Sequence, residues 1–236
     1  MIFARSAAMA FNRWLDAKFD ALNPRTAIRE IPKGVIKSKN ALFFVIINSA
    51  AFIICTWFIN ILCFYLSFAA LFVVLFYSYT KRFTPLCHLV LGLGLSLAPI
   101  GAYISVTGVF SFLPILFSAI VFFWVSGFDI IYALQDEEFD RDNNLYSIPA
   151  ELGKKNALLV SNILHFICAL IVIAAGIYGH FNLLFWLGAG AFLSLLIYQH
   201  TLVGPDDLSK VNLAFATTNG IASVIFAVFV ILDVFV

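Results

Sequence analysis

Asn12, Asp16 and Asp20 recur every four residues, and Asp129, Asp136 and Asp140 follow one another at intervals of seven and four, with Tyr132 between them. At about 100° per residue these spacings place each set on one side of a helix, and Arg5, seven residues before Asn12, falls within about 80° of the first set. Carboxylates gathered in this way repel one another unless a cation lies between them. A hard divalent ion suits such oxygen ligands: Mg²⁺ takes Asp and Asn, keeps several waters and is completed by substrate phosphate. Basic residues stand beside both sets in sequence, Arg25 and Arg29 in NPRTAIR and Lys81 and Arg82 in YSYTKRFT. Guanidinium and ammonium groups bind phosphate oxygens directly. The chemistry implied is that of a divided metal and diphosphate site.

The elements that must position these residues are set by hydropathy. Of 236 residues 63% are hydrophobic and only 11% charged, with a mean hydropathy of +1.01, against about 25% charged residues in soluble domains. That composition excludes a water-soluble globule. Apolar runs lie near 1–17, 40–57, 59–77, 86–106, 112–135, 155–178, 181–203 and 212–236, most of them close to the ~20 residues that cross a bilayer as a helix. They are continuously apolar for far longer than the ~10 alternating residues of a membrane barrel strand. The expectation is an all-α, multi-pass transmembrane bundle of about eight helices in one domain, with the first helix incomplete.

Charge is distributed unevenly between the two ends of that bundle. All fourteen Lys and Arg fall in the first segment or on alternate connections and the helix ends that feed them. The opposite connections, around residues 56–60, 107–112 and 178–182, carry no charged residue. By the positive-inside rule the charged end is cytoplasmic. The bilayer is the expected surrounding and nucleic acid is not an expected partner. Ionisable residues inside such helices are costly and by default face a protein-lined or watery cavity, so both acidic sets are assigned to a cavity mouth at the charged end. Glu30, Glu137, Glu138 and Asp142 read instead as a solvated rim. Cys55, Cys63, Cys87 and Cys168 have no C-x-x-C spacing and read as packing residues. His165, His180 and His200 stand alone in sequence, and Asn212 and Asn219, seven apart, are expected to share a helix face.

The segments NRWLDAKFDALNPRTAIREIPKG, YSYTKRFT and GFDIIYALQDEEFDRDNNLYSIP resemble, in order and spacing, the signatures of the UbiA superfamily of intramembrane aromatic prenyltransferases. The wording is most similar to the 4-hydroxybenzoate polyprenyltransferase branch. The resemblance implies a bundle of normally nine transmembrane helices around a central cavity, with two aspartate-rich motifs that bind Mg²⁺ and diphosphate. The first motif maps onto Asn12, Asp16 and Asp20, the second onto Asp129, Asp136 and Asp140, and a Y-x-x-x-K element onto Tyr77 and Lys81, followed by Arg82. Arg5 matches an arginine seven residues before the first motif. Only eleven residues precede Asn12, so the resemblance also implies that the first family helix is missing and that the chain is truncated at its N-terminus.

On this resemblance Asn12, Asp16, Asp20, Asp129, Asp136 and Asp140 are metal ligands, and Asp16, Asp20, Asp136, Asp140 and Lys81 carry the catalysis. Arg5, Asn12, Arg25, Tyr77, Arg82, Asp129 and Tyr132 bind substrate. The implied activity is Mg²⁺-dependent transfer of a polyprenyl group from polyprenyl diphosphate to an aromatic acid, 4-hydroxybenzoate foremost, for quinone biosynthesis in a bacterial inner membrane. A naphthoate-type acceptor of menaquinone biosynthesis, or haem or chlorophyll prenylation, would share the motifs. A cation-coupled transporter is the alternative of another class, although acids in such proteins sit more naturally near the midplane in broken helices.

Overall fold

The computed structural model describes residues 1–236 as ten α-helices with no strand. They are α1 (Ile2–Leu15), α2 (Ala17–Leu22), α3 (Ser38–Ile59), α4 (Ile61–Thr80), α5 (Cys87–Thr107), α6 (Phe112–Ala133), α7 (Glu137–Asp142), α8 (Ile148–Tyr178), α9 (Leu183–Thr201) and α10 (Asn219–Phe235). A 3-10 turn, Leu134–Asp136, joins α6 to α7, and a π-helical stretch, Leu213–Thr218, leads into α10. Seven helical segments are long and apolar enough to cross a membrane. The first apolar run yields α1, whose 14 residues fall short of that length.

Local chemistry explains where the segments begin and end. The Asn60 side chain accepts from the Cys63 N–H to start α4, and its amide also donates to the Ile104 carbonyl of α5 at 3.0 Å. Gly108, at φ 72°, closes α5 in the left-handed region that a glycine adopts without penalty. The sixth run starts earlier than its apolar residues suggest, because Ser147 accepts from the Ala150 N–H and Pro149 tolerates the first turn. Gly153, at φ 74° and ψ 163°, then bends α8 away from this opening turn.

Packing follows sequence order: α1 lies on α3 and α4, then α4 on α5, α5 on α6, α6 on α8, α8 on α9, and α9 on α10. Gly92 lets α5 approach α6 closely, since a Cβ there would stand 2.1 Å from Ser126 Oγ and 2.7 Å from the Phe122 carbonyl. Only 54 of 236 residues are buried, and large apolar side chains such as Phe43, Phe58 and Ile197 face outward. A bundle with such an outer wall has lipid as its solvent. Polar contacts tie helices together inside it: Ser161 to the Gly127 carbonyl at 2.7 Å, Trp124 Nε1 to Asn219 at 2.8 Å, and His165 to His200 at 2.7 Å. The two histidines that stand alone in sequence are therefore neighbours in space. Asn212 and Asn219 do not share a face, because the π-helical stretch between them breaks the seven-residue register; Asn212 is exposed and Asn219 is buried.

Candidate active site

At the charged end a cleft of about 250 Å³ opens between α1, α2, α4, α5 and α6 and the connection that follows α2. Asn12, Asp16 and Asp20 all line it. The helix breaks at Asp16, yet the Asp16 and Asp20 amides still reach the carbonyls four residues back, so the three side chains stay on one side through the break. Asp129, Tyr132 and Asp136 line the facing wall, with Tyr77, Lys81, Arg82 and Arg25 between the two. The two acidic sets, more than a hundred residues apart in sequence, do converge on one cavity.

Every carboxylate of the two motifs is held by a basic side chain. Asp16 receives Arg82 at 2.8 Å and Asn12 at 3.0 Å, and Arg82 also donates to the Leu15 and Ser78 carbonyls. Arg29 donates through one nitrogen to both oxygens of Asp20, at 2.7 and 2.8 Å. Arg25 grips Asp136 through two nitrogens and donates a third bond to the Tyr132 hydroxyl at 2.8 Å. Asn23 supports this pair twice: its amide donates to Asp136 at 3.1 Å, and its side-chain oxygen accepts from the Arg25 backbone N–H at 2.9 Å. Lys81 Nζ lies 2.6 Å from Asp140, and His88 Nδ1 lies 2.7 Å from Asp129.

Burial tunes the groups at the mouth. It pushes the Asp16 carboxyl above the ordinary aspartate range, and Arg82 draws it only partly back. For Lys81, burial acts to lower the ammonium's pKa, but Asp140 and Asp136 outweigh it, so the group stands above an ordinary lysine and is charged at neutral pH. Arg25 is likewise shifted by burial downward and by Asp136 and Tyr132 upward, with a net rise.

Two residues expected in the site stand elsewhere. Asp140 is fully buried behind Lys81 and does not line the cleft. The 3-10 turn interrupts the helix between Asp129 and Asp140, so the seven-plus-four register does not continue as one stripe. Arg5 is exposed on α1, outside the cleft lining and without an ion-pair partner. Sequence reading missed His88 and Asn23. His88 lies seven residues beyond Lys81, at the start of an apolar run, and only the α5–α6 packing shows that it faces Asp129. Asn23 was visible as an Asn-Pro turn, but not as a contact across 113 residues.

No three His, Cys, Asp or Glu side chains are grouped so as to hold a metal ion among themselves. Mg²⁺ does not need such a cage, since one or two carboxylates with waters and substrate phosphate complete its octahedron. The oxygen donors of Asn12, Asp16, Asp20, Asp129 and Asp136, beside four permanent cations that can exchange a carboxylate for a phosphate, fit a magnesium diphosphate.

Residues 1–229 match the sequence pattern described as the UbiA prenyltransferase family. A 4-hydroxybenzoate octaprenyltransferase of Francisella tularensis subsp. mediasiatica is 29% identical over 236 residues, covering 98% of this chain and 81% of that protein. One of Nitrosospira multiformis is 26% identical, covering 96% of this chain and 78% of its own. Among solved structures, the apo structure of a UbiA homolog from Aeropyrum pernix K1 superposes with a TM-score of 0.90 at 30% identity, covering 99% of this chain and 86% of that one. A UbiA homolog from Archaeoglobus fulgidus, bound to GPP and Mg²⁺, shares the fold at a TM-score of 0.73 and 18% identity, over 96% of this chain and 82% of its own.

Proposed function

The chain belongs to the UbiA prenyltransferase family, a family of membrane enzymes, and on that premise we propose that it transfers a polyprenyl group from polyprenyl diphosphate to 4-hydroxybenzoate. Membership in an enzyme family removes the transporter alternative. The observation that carries the proposal is the single cleft in which both acidic motifs and their basic partners meet at one end of a greasy bundle. The names of the Francisella and Nitrosospira relatives support the acceptor, and the Archaeoglobus homolog supports Mg²⁺ with a prenyl diphosphate.

Asn12, Asp16, Asp20, Asp129 and Asp136 would hold Mg²⁺, which supplies positive charge against the leaving diphosphate. Arg25 and Arg82 bind the diphosphate oxygens, releasing Asp136 and Asp16 as they do so, and Lys81 binds them through its remaining N–H donors while still paired with Asp140. Charge that builds on the diphosphate as the allylic C–O bond lengthens is met by these fixed cations, and the barrier to ionisation falls. Asp140, buried against Lys81, keeps that ammonium charged and aimed into the cleft. Apolar walls exclude water that would quench the allylic cation. The electron-rich ring of the acceptor then attacks the prenyl carbon, and the ring proton passes to a base, for which the released diphosphate serves. Arg5, exposed on α1 outside the cleft lining, is given no part in holding the acceptor. The distribution of Lys and Arg supports an orientation with the cleft on the cytoplasmic side.

The test is a mass-spectrometric assay of membranes expressing the gene, given Mg²⁺, a polyprenyl diphosphate, and 4-hydroxybenzoate in competition with 1,4-dihydroxy-2-naphthoate. Prenylated hydroxybenzoate is the expected product. A prenylated naphthoate, or no prenylated acid of either kind, overturns the assignment of acceptor.

A further inference from the structure

The connection from α2 to α3 has two faces. Its inner face delivers Arg25 and Arg29 to Asp136 and Asp20. Its outer face exposes Ile28, Val35 and Ile36, and Leu22 at the end of α2 is exposed beside them, side chains that water does not favour. Between and beside them stand Lys33, Lys37 and Lys39, all exposed and none paired with an acid. Exposed apolar and cationic side chains in alternation mark a segment lying in the headgroup region of a bilayer. Its position agrees, because the membrane-crossing helix α3 begins at Ser38.

Against this segment, α1 and the first turns of α3 border an open cavity of about 380 Å³, walled mainly by Ala10, Ile31, Ile36, Ala41 and Phe44. Arg13 also lines it, held by exposed Glu30 at 3.2 Å. Lys33, Lys37 and Lys39 flank the lining residues in sequence, so the segment that walls this space carries three further cations and no further acid. An apolar hollow beside the start of a membrane-crossing helix, with cationic side chains next to it, complements a molecule that is apolar at one end and anionic at the other.

We propose that this cavity holds an anionic phospholipid of the surrounding bilayer. One acyl chain lies against Ile31, Ile36 and Phe44, and the phosphate lies among Arg13, Lys33, Lys37 and Lys39. The acidic headgroup displaces Glu30 from Arg13, a weak and solvent-screened pair. Each lysine near a charged membrane surface strengthens binding about fivefold. The lipid fastens the outer face of the segment whose inner face presents Arg25 and Arg29. In that respect the inference rests on the function proposed above and adds a lipid requirement to the same site; the binding itself does not depend on it.

The protein purified in detergent is offered phosphatidylglycerol or phosphatidylcholine of identical acyl chains, and retained lipid is counted by native mass spectrometry. One phosphatidylglycerol per chain is expected to persist, and phosphatidylcholine is expected to be lost. Combined Lys33→Gln, Lys37→Gln and Lys39→Gln substitution should weaken phosphatidylglycerol retention roughly a hundredfold, from about fivefold per charge. Ala41→Phe, which fills the cavity without altering charge, should also lower it, and circular dichroism checks that each variant keeps its helices. Equal retention of the two lipids, undiminished retention in the triple variant, displacement by inorganic phosphate alone, or a second copy of the chain in place of lipid would each overturn the proposal.

Discussion

His88 on α5 and Asp129 on α6 face one another at 2.7 Å, and the far ring nitrogen of His88 takes the Ile148 N–H at the start of α8 at 3.4 Å. One imidazole thus aims a cleft carboxylate and joins three helices as it does so. Partners of this kind orient a metal ligand, and their loss typically weakens metal affinity about 10–100-fold.

The first prediction follows from that pairing. His88→Leu removes the donor to Asp129 and should raise the Mg²⁺ concentration for half-maximal prenyl transfer about tenfold or more. His88→Asn keeps an N–H near the same place and should fall between the variant and the native protein. A Mg²⁺ titration in nanodiscs at saturating substrates decides it, and identical curves for all three proteins would refute the role.

Lys81 and Asp140 give a second. Asp140 is wholly buried, so Lys81→Met leaves a charge without a partner, at a cost of about 3 kcal/mol. Adding Asp140→Asn removes that charge and should restore most of the thermal stability measured in detergent, while prenyl transfer stays lost in both variants. Recovery of activity along with stability would show that Lys81 acts only through folding.

Removal of the cleft carboxylates is the third. Asp16→Ala and Asp136→Ala should each reduce prenyl transfer by at least about 100-fold, and EDTA should abolish it in the native protein, with readdition of Mg²⁺ restoring it. Size-exclusion profiles and helical content are the controls, because each substitution also frees Arg82 or Arg25. A variant that keeps native turnover would remove its carboxylate from the site.

A fourth concerns the close approach that brings His88 to Asp129. Gly92→Ala drives a methyl into Ser126 and the Phe122 carbonyl, and the carbonyl cannot rotate away. The overpacking should cost about 1–3 kcal/mol. Gly101→Ala on the same helix meets nothing within 4 Å and should leave the melting temperature unlowered or slightly raised. Equal shifts for the two would contradict the packing described.

Much of this arrangement was legible in the sequence because membrane helices are written in long apolar runs, and because charge in such a chain is rare enough to be informative. Asn12, Asp16, Asp20, Asp129 and Asp136 were found from spacing alone and do line one cleft. Spacing failed where the backbone leaves the α-helix. The 3-10 turn before Glu137 carries Asp140 out of the predicted stripe, and the π-helical stretch separates Asn212 from Asn219. Contacts between distant segments were out of reach altogether. Nothing near His88, Asn23 or His165 in sequence marks what lies across from them, because those partners are chosen by helix packing.

The last two helices carry a consequence of their own. Asp233, near the end of α10, is buried and accepts from the Asn182 and Phe185 amides that begin α9, at 2.8 and 3.0 Å. Asn219, at the other end of α10, receives Trp124 of α6. Lipid tails compete with leucine and phenylalanine for a helix surface on nearly equal terms, so greasy contact alone does not tell α10 which neighbour to keep. A carboxylate that finds backbone donors on a single helix does. Asp233 therefore acts as an address within the bundle: it ties the end of α10 to the start of α9 and fixes the register in which the two helices pair.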